Sequence, residues 1–162
     1  PKAVSTQTNK FTTGTITSFE MDNSLDLYMV CNQNGKILIA DFFIAKGSTS
    51  FTFGKYDVEK KHGAQAVGTI QKSQGAAVSQ LWQMASLYGF VKGTSVETIY
   101  FFDSGSAVVS DKKVEFDVKS HFGSSLKITY EGPLTIKKGG VAAAKARARG
   151  LSPLKQGKGI FF

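Results

Sequence analysis

One cysteine, Cys31, and two histidines, His62 and His121, are all that this 162-residue chain offers to a soft metal or to a nucleophile–base pair. A single thiol excludes an internal disulfide, and with no CxxC, HxxxH or HxE spacing no metal site is expected. Cys31 stands in an apolar stretch just before a turn, the setting of a buried, inert thiol. No stretch approaches eighteen apolar residues, and no basic-then-apolar leader opens the chain. Neither a membrane helix nor a secretory signal is therefore expected. The chain reads as soluble and intracellular, or as part of a virion if its source is viral; Pro1 fits a removed initiator methionine.

Arginine is missing from the first 146 residues, and acids are missing from the last 26. The formal net charge of +8 is thus not spread over the molecule. Lys137, Lys138, Lys145, Arg147, Arg149, Lys155 and Lys158 carry seven positive charges, whereas residues 1–136 hold thirteen Lys against twelve Asp and Glu. A near-neutral body with a basic appendage is the charge pattern of a polyanion-binding arm. Hydrophobic residues at 41% and charged residues at 20% are enough for a core and argue against disorder throughout. Aromatics are plentiful, 13 of them Phe, and since Phe has no polar handle most of these rings should be buried in a core or an interface.

Residues 1–10 are polar and read as an N-terminal arm, residues 11–138 as a β-rich globular domain, and residues 139–162 as the basic tail, with Gly139-Gly140 at the junction. Leu25, Leu27, Met29 and Cys31 alternate with polar positions, and Asn34-Gly35 predicts a tight hairpin turn. The return segment, Lys36 to Ala45, is apolar on both faces and should be central and covered on two sides. Lys55 to Gly75 has no period and reads as a long connection. From Ala76 the spacing of Val78, Leu81, Trp82, Ala85 and Tyr88 predicts a helix over about 76–89, stopped at Gly89. No charge occurs between Lys72 and Lys92, so this element should be covered on both sides, by a sheet and by a loop or second subunit. Val96 to Asp103 predicts a strand ending in a turn at Asp103-Ser104-Gly105-Ser106, and clean alternation follows at 113–119 and 126–131. The fold class expected is β-rich α+β, an antiparallel sandwich or barrel with one central packed helix between two groups of strands.

Chemistry is sparse. A Cys31–His pair lacks any local signature, and Asp103-Ser104-Gly105-Ser106 is explained as a turn rather than a nucleophile loop. Asp41 interrupts the apolar run of its strand, and the expected reason is an end or edge position reaching water or a backbone amide, not a pocket acid. Gly139-Gly140 and Gly157-Lys158-Gly159 fit neither phosphate-loop pattern, so no cofactor is implied. No enzymatic activity is expected.

Lys145, Arg147 and Arg149 are two residues apart, which scatters them around a helix but aligns them along an extended chain. A charged ribbon along a phosphate backbone uses that spacing best. Lys60 and Lys61, with Lys55 and Lys72 nearby, extend a basic surface that Asp57 and Glu59 dilute. Tyr28, Tyr56 and Tyr100 are candidates to stack on bases, and Trp82, Phe161 and Phe162 to stack or to meet a partner. The expected function is non-enzymatic nucleic-acid binding, single-stranded or sequence-independent, through the tail of a homo-oligomeric body, with no small-molecule substrate. The alternative is a self-assembling viral or phage structural subunit, of a coat or tube, whose terminal arms hold neighbouring subunits.

Overall fold

Asn34 and Gly35 both take positive φ, 53° and 74°, and close a two-residue turn with Gln33 opposite Lys36, as the Asn-Gly pair predicts. The structure, a computed structural model, describes residues 4–73, 86–139 and 155–156. The turn joins β3 (Leu25–Gln33) to β4 (Lys36–Ile44). Before them come β1 (Thr6–Phe11) and β2 (Thr15–Glu20). After them come β5 (Gly54–Val58), β6 (Thr69–Ile70), β7 (Leu87–Lys92), β8 (Ser95–Ser110), β9 (Lys113–Ser120), β10 (Ser125–Glu131), β11 (Ile136–Lys138) and β12 (Lys155–Gln156).

Five strands close a barrel. β4 pairs with β7 at residues 36–39 and with β6 at 42–43, while β8 takes β7 on its first half and β5 on its second. The parallel pair β5–β6 completes the ring. Two wings extend from it, β8–β9–β10–β1 and β4–β3–β2–β11. Their inward side chains meet in one large core, Leu27, Met29 and Phe42 from one wing and Phe116, Val118 and Ile128 from the other. Phe42 is its hub, with ring centroids 5.0 Å from Phe51, 5.3 Å from Tyr56 and 5.7 Å from Phe116. β4 is buried from Ile37 to Ile44 because Ile37 and Ile39 enter a second cluster on its other face, with Leu87, Val96, Ile99 and Phe101. That is the two-sided cover its composition predicts.

The wings are stitched at one end by a parallel ribbon. β1 lies beside β10 in the first wing, and their continuations β2 and β11 lie side by side in the second. The crossover packs tightly around Tyr130. A Cβ on Gly14 would stand 2.8 Å from Cys31 Sγ, and one on Gly132 would stand 2.7 Å from the Tyr130 hydroxyl. Tyr130 Oη–H donates to the Pro133 carbonyl at 2.7 Å.

Three expectations need correction. The packed helix over 76–89 is not present: Leu87, Tyr88 and Gly89 lie in β7, antiparallel to both β4 and β8, and no helix occurs among the described residues. Residues 76–85 lie outside them. Leu87 and Tyr88 point to opposite clusters, so both faces of β7 are apolar and its sequence carries no alternation to mark a strand. Gly89 does not stop a helix; a Cβ there would stand 2.7 Å from Val96 Cγ1, and the register shifts beside it. Secondly, Asp103-Ser104-Gly105-Ser106 is no turn. β8 runs through it with a shift between Phe102 and Ser104, and Gly105 (φ 108°) lets β9 pass where a Cβ would stand 2.5 Å from the Asp117 carbonyl oxygen. Lastly, the sheet is not wholly antiparallel, since β1–β10, β2–β11, β5–β6 and β8–β12 are parallel.

Candidate polyanion-binding surface

The body lysines are mostly matched to acids. On the outward face of β9 and β10, Lys10 pairs with Glu131 at 2.8 Å, Lys113 with Glu115 at 2.9 Å and Lys127 with Asp117 at 2.9 Å. Hydrogen bonding from Lys10 holds the Glu131 carboxyl below its ordinary range, and hydrogen bonding to Glu115 raises the Lys113 ammonium. Lys55 faces Asp57 at 3.7 Å. These cations are exposed and screened, so the pairs add little stability, but they leave this face close to neutral.

Lys72 is also committed. Its ammonium holds the Asp103 carboxylate and donates to the Asp103 carbonyl oxygen at 2.8 Å, with His121 Nδ1 3.5 Å from the same carboxylate. Its backbone N–H donates to Glu59 Oε1 at 3.0 Å, and the other Glu59 oxygen accepts from Gln65 N–H at 2.6 Å. His62 Nδ1 meets the Lys72 carbonyl oxygen, which can only accept, so Nδ1 carries the proton there. Glu59 is 3% exposed and pins both ends of the β5–β6 loop instead of simply diluting a basic surface. The loop's remaining cations, Lys60 and Lys61, are exposed.

Lys137 and Lys138 stand exposed on β11, the outer strand of the second wing, paired with Thr17 and Ser18 of β2. Lys155 falls on β12, which lies parallel to β8 with Lys155 opposite Ser95. Lys145, Arg147, Arg149, Lys158, Phe161, Phe162 and Trp82 lie outside the described residues. The structure does not bring Lys60 and Lys61 onto the element that carries Lys137 and Lys138; four strands of the sheet order separate β11 from β6. Gly139 N–H donates to the Ser18 carbonyl at 2.8 Å, so the chain is held to β2 up to the point where the tail begins.

Two stacking candidates are in the core. Tyr56 is 3% exposed with its hydroxyl donating to the Thr52 carbonyl, and Tyr100 is 4% exposed, 6.1 Å from the ring of Tyr88. Tyr28 is half-buried against Phe19. Burial pushes the Cys31 thiol up to about 12, which fits the inert thiol expected. Asp41 is not at a wet edge. It is fully buried, paired with Tyr28 on β3; its N–H donates to Ser86 Oγ at 3.2 Å, and its carbonyl accepts from Gln71 N–H at 2.9 Å. Among the described residues no three His, Cys, Asp or Glu side chains are grouped to hold a metal ion. No helix there is long and apolar enough to cross a membrane.

One surface escaped the sequence reading. Phe53 is 58% exposed, although seven other Phe side chains are buried. It stands between a groove of about 530 Å³, lined by Phe51, Asp111, Lys112, Pro133 and Leu134, and a smaller hollow of about 180 Å³ that includes Val67. Val67 and Val108 are exposed as well, and Val108 pairs with Lys55 two residues after Phe53. Counting by twos from the buried pair Tyr56 and Val58 places Phe53 on the wet side with Lys55 and Asp57. That signal was present but weak beside the equally spaced Phe51.

Comparison with protein-family models, with curated proteins and with solved structures found no match for this chain. Function therefore has to be argued from the residues themselves.

Proposed function

We propose that the protein binds nucleic acid, single-stranded or without sequence preference, through the basic segment 137–158 carried by an oligomeric β-rich body. One observation carries this reading. The final 26 residues hold seven cations and no acid, whereas five body lysines (Lys10, Lys55, Lys72, Lys113 and Lys127) each face a carboxylate. Positive charge without a counter-charge is therefore concentrated where the chain leaves β11. Binding would rest on counterion release, which is insensitive to sequence and sensitive to salt. With about five to seven phosphates engaged on a single strand, log K should fall against log salt with a slope of roughly −3.5 to −5. Fluorescence anisotropy of a labelled oligonucleotide, with the full chain and with residues 140–162 removed, tests it. A flat salt response, or undiminished binding by the shortened chain, refutes it.

A second reading, a self-assembling structural subunit, is favoured by a different observation. Segments near both ends of the chain, β1, β11 and β12, each add in parallel to a strand of the body. The same addition to a neighbour would link subunits, as in strand-addition complexes. Light scattering and electron microscopy of the purified protein test it, and a strict monomer at high concentration excludes it.

A further inference from the structure

We propose that the groove beside Phe53 is an intersubunit socket, and that its occupant is the Ile160-Phe161-Phe162 segment of a second copy of this chain. The inference rests on the assembly reading above and names the surface and the segment that would carry it. The socket is apolar where an isolated protein gains nothing from being so. Phe53 stands exposed between two hollows, with Val67 and Val108 exposed nearby, and Pro133 and Leu134 form the far wall. A groove of about 530 Å³ is large enough for aromatic side chains to enter, and buried aromatic anchors are what fix such interfaces.

Chain length decides whose segment enters. β12 runs parallel to β8 with Gln156 opposite Val96. Six more residues lead from Gln156 to Phe162, and in register they end level with Phe102, because 96 + 6 = 102. From Phe102 onward that edge of β8 is occupied by β9, whose neighbour His121 already donates to Phe101. Asp111, at the socket, lies nine residues farther along the chain (111 − 102 = 9), roughly 30 Å if β8 ran straight. Six extended residues span only about 20 Å from Gln156, and the bend in β8 does not close that gap. A chain held at β12 therefore presents its Ile160-Phe161-Phe162 away from its own socket and within reach of a neighbour's. Such an interface is head-to-tail, so it builds rings or filaments instead of stopping at a two-fold dimer.

Sedimentation velocity on the full chain, in salt high enough to release nucleic acid, tests this with two variants. Phe53→Asp alters an exposed side chain and spoils only the socket, and the double variant F161S/F162S spoils only the plug. The wild type should associate as its concentration rises, and each variant should weaken association at least tenfold while circular dichroism stays unchanged. Mixing the two variants leaves one intact socket–plug pair, so the mixture should form heterodimers and nothing larger. If the wild type assembles and both variants assemble equally well, the socket is wrong and the assembly reading stands. A wild type that remains monomeric overturns both. A monomer whose tail becomes protease-sensitive on Phe53→Asp would place the occupant in the same chain and likewise overturn the inference.

Discussion

Cys31 is chemically silent because of where β3 puts it, fully buried beside the Gly14 crossover. With its thiol near 12 against 9.0 for a free group, the folded state keeps a proton that the unfolded chain releases between those values. The proton imbalance favours the unfolded chain there, so this stability is present below about pH 9 and is lost as pH rises toward 12. Its slope is about 1.4 kcal/mol per pH unit. Urea midpoints at pH 9–10 should fall with that added slope in the wild type, and Cys31→Ala should remove it. Tyr56, Tyr88 and Tyr130, also raised by burial, add their own loss at higher pH. Gly105 makes a second test at this scale. Its φ of 108° and the 2.5 Å approach to the Asp117 oxygen leave no room for a methyl group, so Gly105→Ala should cost about 2–4 kcal/mol, read from urea unfolding.

Among the elements, β11 offers the cleanest separation of stability from binding. Lys137 and Lys138 are exposed and make no ion pair among the described residues, so replacing both by Ala should change stability by less than about 0.5 kcal/mol. The same change should reduce the magnitude of the salt slope for single-stranded oligonucleotide by roughly 1.4, measured by anisotropy. The contrast between β3–β4 and β7 explains which elements could be read from sequence. The hairpin has one face of alternating side chains and a turn whose residues dictate its geometry, both local properties. β7 is apolar on each side, and a strand without alternation resembles a buried helix when the preceding Val78, Leu81, Trp82 and Ala85 carry helical spacing. Gly105 misled for a related reason, since a glycine serving a close strand approach looks the same in sequence as one serving a turn. The basic segment was legible because charge segregation needs no fold. The Phe53 socket was not, because Phe51 and Phe53 have the same spacing yet opposite exposure.

At the scale of the whole molecule, the parallel ribbon of β1–β2 with β10–β11 ties the first strands to nearly the last. Phe11, at its centre, is fully buried and meets Tyr88 edge-on at 6.4 Å. Removing residues 1–11 should therefore cost at least about 3–5 kcal/mol by urea unfolding, more than loss of a surface arm would. These pairings left no mark in the sequence, because they join segments over a hundred residues apart with no signal at either end. The same ribbon sets an order of events during synthesis. Thr6 pairs with Ser125, so β1 leaves the ribosome 119 residues before its partner, about 6–24 s at ordinary elongation rates. Through that interval the body has an unfilled edge and the basic segment has not been made. Its cations emerge directly after β11, the strand that completes the ribbon, so capture of a polyanion is timed to a body whose last seam is closing.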